Sequence, residues 1–406
     1  MITLTNRQAR QFLLLKQGLL GEHKFTGKEG ILDYVRQAGC IQFDPVDVCG
    51  KNAELVCQSR IKGFTKAMLY DLLYRERTLV DYIDKNVAIT LTEEWPHFKR
   101  YRDLAKANGR RFDGMAELEQ QAKAYIMAHG VVSSDELPLP GRLHWHSSLH
   151  WSGNWTGESN AARAVLEQLY SAGELIIHHK SGSRKYYDLA DNHLPAALLD
   201  APDPCPDESA YLKWRILRRI GAVGLLWNRA SDAWLHISGL KSALRNELFA
   251  ELIAENRITE LTVVGIKDKL YCRSEDQPLI EKVLQNPQFK PRCELIAPLD
   301  NFIWDRKLIM AIFGFEYTWE IYTPVTKRKY GHYVLPLLYG ENLIGRAEII
   351  ANREKETLIL KHIWYEDGIR LTKKLRTALH QCIKRFAKFN LCRTIDDPGG
   401  FLNTDI

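Results

Sequence analysis

One local pattern occurs three times along the chain and sets its architecture: an amphipathic helix, a short break, then two strands joined by a polar turn. In the middle copy, Ala162, Val165, Leu166 and Leu169 share a helical face between residues 161 and 170. Gly173 stops that helix, and Leu175-Ile176-Ile177 and Tyr186-Tyr187 flank a Ser181-Gly182-Ser183 turn. In the last copy, Leu244, Leu248, Leu252 and Ile253 form the stripe. Strand residues 258–264, a turn at 265–268 and a return through Leu270 to Cys272 follow. The first copy is less regular: Met68, Leu69, Leu72 and Leu73, then Leu79 to Ile83, a turn at Asp84-Lys85-Asn86, and Val87 to Leu91. The copies recur roughly 80–100 residues apart, a domain spacing rather than the ~20–50-residue period of a solenoid.

A helix followed by a hairpin is the second half of a winged helix. First halves are also legible. Thr5-Asn6-Arg7-Gln8 has the form of a capping box and opens a helix expected to close at Gly21. A second helix is expected from Gly27 to Ala38, ended by Gly39. Residues 209–220 place Tyr211, Trp214, Leu217 and Ile220 at helical spacing ahead of the last copy. The tract 200–206, with Pro202, Pro204 and Pro206, reads as a linker, and a second boundary is expected near 286–291. Beyond it, alternating aromatic-rich segments give a β-rich texture, closed by a helix from about Leu371 to Asn390. The expected fold is therefore α+β. Three tandem winged helices occupy 1–115, 116–199 and 200–290, and a β-rich C-terminal domain occupies 291–406. A 45% apolar fraction with ten Trp in 406 residues supports several cores and argues against disorder.

Charge and cysteines narrow the function classes. The net charge of +6 leans towards a polyanion partner, or else is a solvated basic surface. The eight cysteines form no Cys-x-x-Cys pair, which speaks against a structural zinc or thioredoxin-type site. The opening Met-Ile-Thr-Leu-Thr carries no basic-then-apolar secretory pattern, and no run approaches the ~18 apolar residues of a membrane span. The expectation is a cytoplasmic protein with no membrane association.

The clearest chemical motif is Gln42-Phe43-Asp44-Pro45. In an extended segment Gln42 and Asp44 share a face, and Pro45 favours extended geometry at Asp44. A carboxylate beside an amide can hold, polarise and deprotonate one water, as a hydrolase with a good leaving group requires. Asp47 reads as a turn or cap residue rather than a second carboxylate. Asn52 and Glu54 read as first-turn residues of the next helix. His144-Trp145-His146, with His150 and Trp151, reads as packed aromatics rather than a metal site, having no acidic or Cys partner nearby. Ser134-Asp135-Glu136 reads as a helix N-terminus, and Trp304-Asp305-Arg306 as an Arg–carboxylate pair buried against an aromatic.

These residues, with the blocks Pro298-Leu299-Asp300-Asn301-Phe302-Ile303-Trp304-Asp305-Arg306, Tyr322-Thr323-Pro324, Lys327-Arg328-Lys329-Tyr330-Gly331, Val334-Leu335-Pro336-Leu337-Leu338 and Leu343-Ile344-Gly345-Arg346, resemble the AlkZ/YcaQ-type DNA glycosylase family in its Gln-x-Asp branch. The resemblance implies tandem winged helices in a C-shaped arrangement around duplex DNA. It implies monofunctional excision of N7-alkylated guanine, including guanine in interstrand crosslinks. It also implies Asp44 and Gln42 as the catalytic pair, no cofactor, and a monomer whose partner is duplex DNA carrying alkylated purines. One departure stands out: where related chains carry an aromatic-Trp-Ala-His-Glu segment, this one reads Tyr82-Ile83-Asp84-Lys85-Asn86.

For DNA contact, Lys327, Arg328 and Lys329 beside Tyr330 are the first candidates. His178, His179, Lys180 and Arg184 on the second wing are next, with a solvated turn as the equal alternative for the His-His-Lys run. A non-catalytic winged-helix regulator is the competing function. It would have no use for the Gln42/Asp44 pair or the C-terminal blocks.

Overall fold

The computed structural model describes residues 2–145 and 157–402. The chain divides into two compact units, Met1–Leu69 with Leu212–Ile406, and Tyr70–Tyr211.

The first unit joins both ends of the sequence. Its opening helix, Asn6–Lys16, begins on the expected capping box. The Thr5 side chain accepts from Gln8 N, and the Gln8 side chain accepts from Thr5 N at 2.8 Å. The helix ends earlier than Gly21. Gln17 caps it, and Gly18 turns the chain at φ +69°, where an added Cβ would lie 2.8 Å from the Phe25 ring. The helix Gly27–Ala38 ends at Gly39, as expected, at φ +77°.

Ahead of the capping box, Ile2–Leu4 pairs in parallel with Ile258–Val263. It thereby extends the hairpin of the third repeat (Ile258–Val263 and Leu270–Arg273) into a four-stranded sheet with Leu226–Trp227. The preceding helix runs Glu208–Val223, and the repeat's own helix is Ser242–Ala254.

The β-rich C-terminal part is a five-stranded sheet. Its order is Cys293–Leu295, Val334–Tyr339, Asn342–Asn352, Thr357–Tyr365 and Thr394–Asp396, antiparallel except for the last pair. The expected closing helix is Lys373–Phe389, and its buried stripe includes Leu375, Leu379, Ile383 and Phe386. The 286–291 stretch is tied to the opening helix: Gln8 Nε2 donates to Asn286 Oδ1 and Gln11 Nε2 to the Pro287 carbonyl.

Buried ion pairs brace this unit. Arg60 and Asp300 are fully buried and bonded through two contacts of 2.6 and 2.8 Å, with Arg60 also over the Tyr34 ring. Breaking such a pair from one side costs about 3–5 kcal/mol, because a lone buried charge remains. That is where the buried Arg–carboxylate pair lies. The neighbouring block does not form one: Asp305 accepts from Trp227 Nε1 at 2.6 Å and caps the helix Arg306–Phe313, while Arg306 lies over Tyr317.

The second unit carries the other two hairpins. Leu79–Asp84 pairs with Asn86–Leu91, with Asn86 at φ +59° in a tight turn. Leu175–Ser181 pairs with Arg184–Leu189, and Val132–Ser133 adds a third strand. The helix before the second hairpin is Ala161–Ser171, as expected. Ser134-Asp135-Glu136 is a turn and does not open a helix: Glu136 reaches back to Ser133 N and Oγ, and Pro138 and Pro140 forbid continuation. The 200–206 tract is irregular, and Arg100 holds Asp203 and the Cys205 carbonyl.

Candidate active site

Gln42 ends the short strand Cys40–Gln42, and Phe43 and Asp44 follow it in irregular backbone. Both polar side chains are almost fully buried, at 3% exposure each. Asp44 Oδ1 accepts from Val46 N at 2.9 Å, an Asx turn across Pro45 that fixes one oxygen and leaves the other for different work. Burial pushes the Asp44 carboxyl above its ordinary range, against the opposing pull of the Val46 bond.

The backbone around this motif is clamped by the C-terminal part of the same unit. Asn301 Nδ2 donates to the Cys40 carbonyl at 2.7 Å. Asn52 Nδ2 donates to the Gln42 carbonyl at 2.7 Å, while its Oδ1 accepts from Leu299 N at 3.0 Å. Ala351 N donates to the Val48 carbonyl, Arg353 pairs with Asp47, and Tyr333 Oη lies 3.5 Å from the Gly50 carbonyl. Asp47 also accepts from Gly50 N, so its turn role holds. Asn52 does more than open its helix: it is 1% exposed and joins the motif strand to the 298–306 block. Glu54 keeps its first-turn role, accepting from Lys51 N, and pairs with Lys66.

Sequence reasoning also missed a group of aromatic residues. Trp319 packs edge-on against Tyr322 at 5.8 Å and against Tyr333 at 6.0 Å between centroids. Burial first, and the Asp44 carboxylate among the neighbouring charges, raise the hydroxyls of both tyrosines. Tyr333 is buried, whereas Tyr322 is 78% exposed. The signal for Tyr322 was its place in the 322–324 block, and nothing local set it apart further.

The loop carrying the basic run is built on Glu320, whose carboxylate accepts from the backbone N–H groups of Lys329, Tyr330 and Gly331. Burial opposes ionisation, but these three bonds prevail and hold Glu320 below the usual carboxylate range. The three cations part company here. Lys327 and Lys329 are exposed, but Arg328 turns back to the Thr323 carbonyl at 2.8 Å. Tyr330 covers the Arg346 guanidinium at 4.1 Å and touches Trp364. Arg328 and Tyr330 therefore brace the loop that displays the two lysines.

In the second unit the wing residues also separate. Lys180 is 3% exposed at its side chain and ion-paired with the buried Asp81, which also accepts from Tyr74 Oη. That pair holds its ammonium against the fold. His178 and His179 share a 2.8 Å contact between their Nδ1 atoms. Burial, then Arg77, hold the His178 imidazole below its usual range and favour its neutral form. Arg184 is half exposed and pairs with Asp135. With Lys185, Arg163, Ser134 and Tyr187 they line a groove of about 1130 Å³.

Tyr82 of the unusual 82–86 segment is fully buried among Trp95, Phe98, Tyr101 and Tyr170, and its hydroxyl donates to the Ser171 carbonyl at 2.7 Å. Asp84 and Lys85 are buried too. Trp145 is buried with its Nε1 3.4 Å from Gln168, and His144 lies on the strand Arg142–His144, whereas His146, His150 and Trp151 lie outside the described residues. Among the described residues, no group of three or more His, Cys, Asp or Glu side chains could hold a metal ion. No described helix is long and apolar enough to cross a membrane.

Comparison with known proteins agrees with this picture. The fold is similar to the solved Streptomyces sahachiroi DNA glycosylase AlkZ, with a TM-score of 0.62 over 98% of this chain and 99% of that one, at 15% identity. The model of the family described as DNA glycosylase AlkZ-like matches residues 35–389, which include Gln42, Asp44 and every clamping residue named above. The chain belongs to the AlkZ-like DNA glycosylase family.

Proposed function

We propose that this DNA repair glycosylase hydrolyses the N-glycosidic bond of N7-alkylated guanine in duplex DNA, including guanine in interstrand crosslinks, and stops at the abasic site. The observation that carries the reading is Asp44: a buried carboxyl, one oxygen fixed by Val46 N, on a backbone clamped from several sides. Alkylation at N7 makes guanine a cation and a good leaving group, so little acid assistance is needed. The remaining demands are to stabilise positive charge developing on the sugar and to activate water. An ionised, desolvated Asp44 suits both, since its attraction to an oxocarbenium grows as the local dielectric falls and its raised pKa makes it a better base. Gln42 can donate to and accept from the same water.

In this reading the three helix–hairpin repeats act as winged helices on the duplex, and Lys327, Lys329 and Arg184 supply phosphate contacts. No nucleophilic amine takes part. Incubation with duplex containing N7-methylguanine should release the free base and leave an intact abasic strand. Efficient trapping of a covalent protein–DNA adduct by borohydride would overturn the monofunctional assignment, and absence of base release would overturn the substrate.

A further inference from the structure

An exposed aromatic held in place by packed rings needs a reason, because most of the Tyr322 ring gains nothing from folding. At 78% exposure it is the most open tyrosine among the large apolar side chains that reach solvent. Yet it is not loosely held. Trp319 meets it edge-on at 5.8 Å, and Trp319 in turn rests on the buried Tyr333, whose hydroxyl reaches the Gly50 carbonyl just beyond the motif. On its other side the chain is fixed by Arg328, which donates to the Thr323 carbonyl, and by the Glu320 anchor. A braced loop thus presents one aromatic face to solvent, on packing that runs back through Trp319 and Tyr333 to the Gly50 carbonyl just after the motif.

We propose that Tyr322, braced by Trp319, is a specificity-determining residue that packs its ring against the cationic lesion base. The inference rests on the function proposed above and deepens it. An N7-alkylated guanine differs from guanine in carrying a full positive charge, and the face of an aromatic ring attracts a cation but gains no such term from a neutral base. In the function proposed above Asp44 attracts the same charge, so carboxylate and ring together favour the damaged nucleotide. As the glycosidic bond breaks, the charge passes from base to sugar. The ring's preference therefore acts on binding of the lesion more than on the chemical step, which belongs to Asp44.

The test compares wild type, Tyr322→Leu and Tyr322→Phe on duplexes identical except for one N7-methylguanine. Two quantities are read: the enzyme concentration giving half-maximal single-turnover release, and the affinity for undamaged duplex. Tyr322→Leu should raise the half-saturating concentration roughly 3- to 30-fold while affinity for undamaged DNA stays put. Tyr322→Phe, which keeps the ring, should remain within about twofold of wild type if the face is what matters. Equal weakening on both duplexes, or no change on either, would overturn the inference alone. A wild-type protein that releases no N7-methylguanine would overturn the proposed function and this inference with it.

Discussion

Asn52→Ala is the most informative change outside the proposed catalytic pair, Gln42 and Asp44. One amide joins two backbone groups, donating to the Gln42 carbonyl at 2.7 Å and accepting from Leu299 N at 3.0 Å, at 1% exposure. Alanine removes both of these buried bonds. A hydrogen bond contributes about 0.5–1.5 kcal/mol net, so the loss of two should cost about 1–3 kcal/mol of unfolding free energy. The same change loosens the segment that carries the proposed catalytic pair. A displacement near 1 Å of a positioned group can cost about 10²-fold in rate. Urea unfolding should show a lower midpoint with an unchanged slope, and single-turnover excision at saturating enzyme should fall about 10- to 10²-fold. Asn52→Asp keeps the acceptor for Leu299 N and loses the donor to Gln42, and should also be impaired. An alanine variant with wild-type stability and wild-type excision would refute the clamp.

Two further outcomes follow from other parts of the molecule. Replacing Lys327 and Lys329 with alanine should weaken binding to damaged and undamaged duplex alike and reduce the salt slope of log K by about 0.9 per lost phosphate contact, whereas Arg328→Ala should loosen the loop instead. An unchanged slope would assign both lysines to a solvated surface. Burial, then Arg292, Arg385 and Lys62, depress the His23 imidazole from 6.5 to about 4. The unfolded chain therefore takes up that proton first. Stability credited to neutral His23 is present above about 6.5 and lost as pH falls towards about 4. His23→Gln should show a shallower decline over that window in thermal melts; an identical decline would assign it to other groups.

What the sequence revealed was what local rules control. Helix periodicity, the Thr5 capping box and the polar turns at 84–86, 181–183 and 265–268 depend on neighbours a few residues away, and these elements stand where they were expected. Two errors were also local. Gly18 and Gly21 were both available to end the first helix, and the prolines at 138 and 140 already argued against a helix opening at Ser134. The rest depended on long-range partners. Nothing near Lys180 announces that Asp81, 99 residues earlier, will bury its charge, and nothing in Ile2–Leu4 identifies Ile258–Val263 as its strand partner. The site divides in the same way. Gln42 and Asp44 could be named from their spacing and the resemblance, but the role of Asn52 requires Leu299, 247 residues away.

The most direct measurement is single-turnover release of N7-methylguanine from duplex DNA by Asp44→Asn at saturating enzyme. Asparagine keeps the side-chain oxygen that accepts from Val46 N, so the Asx turn and the fold should survive, while the negative charge and the base are removed. Excision should fall about 10²- to 10³-fold or more, with affinity for the same duplex close to wild type. Excision near the wild-type rate in a folded, DNA-binding Asp44→Asn protein would contradict the account.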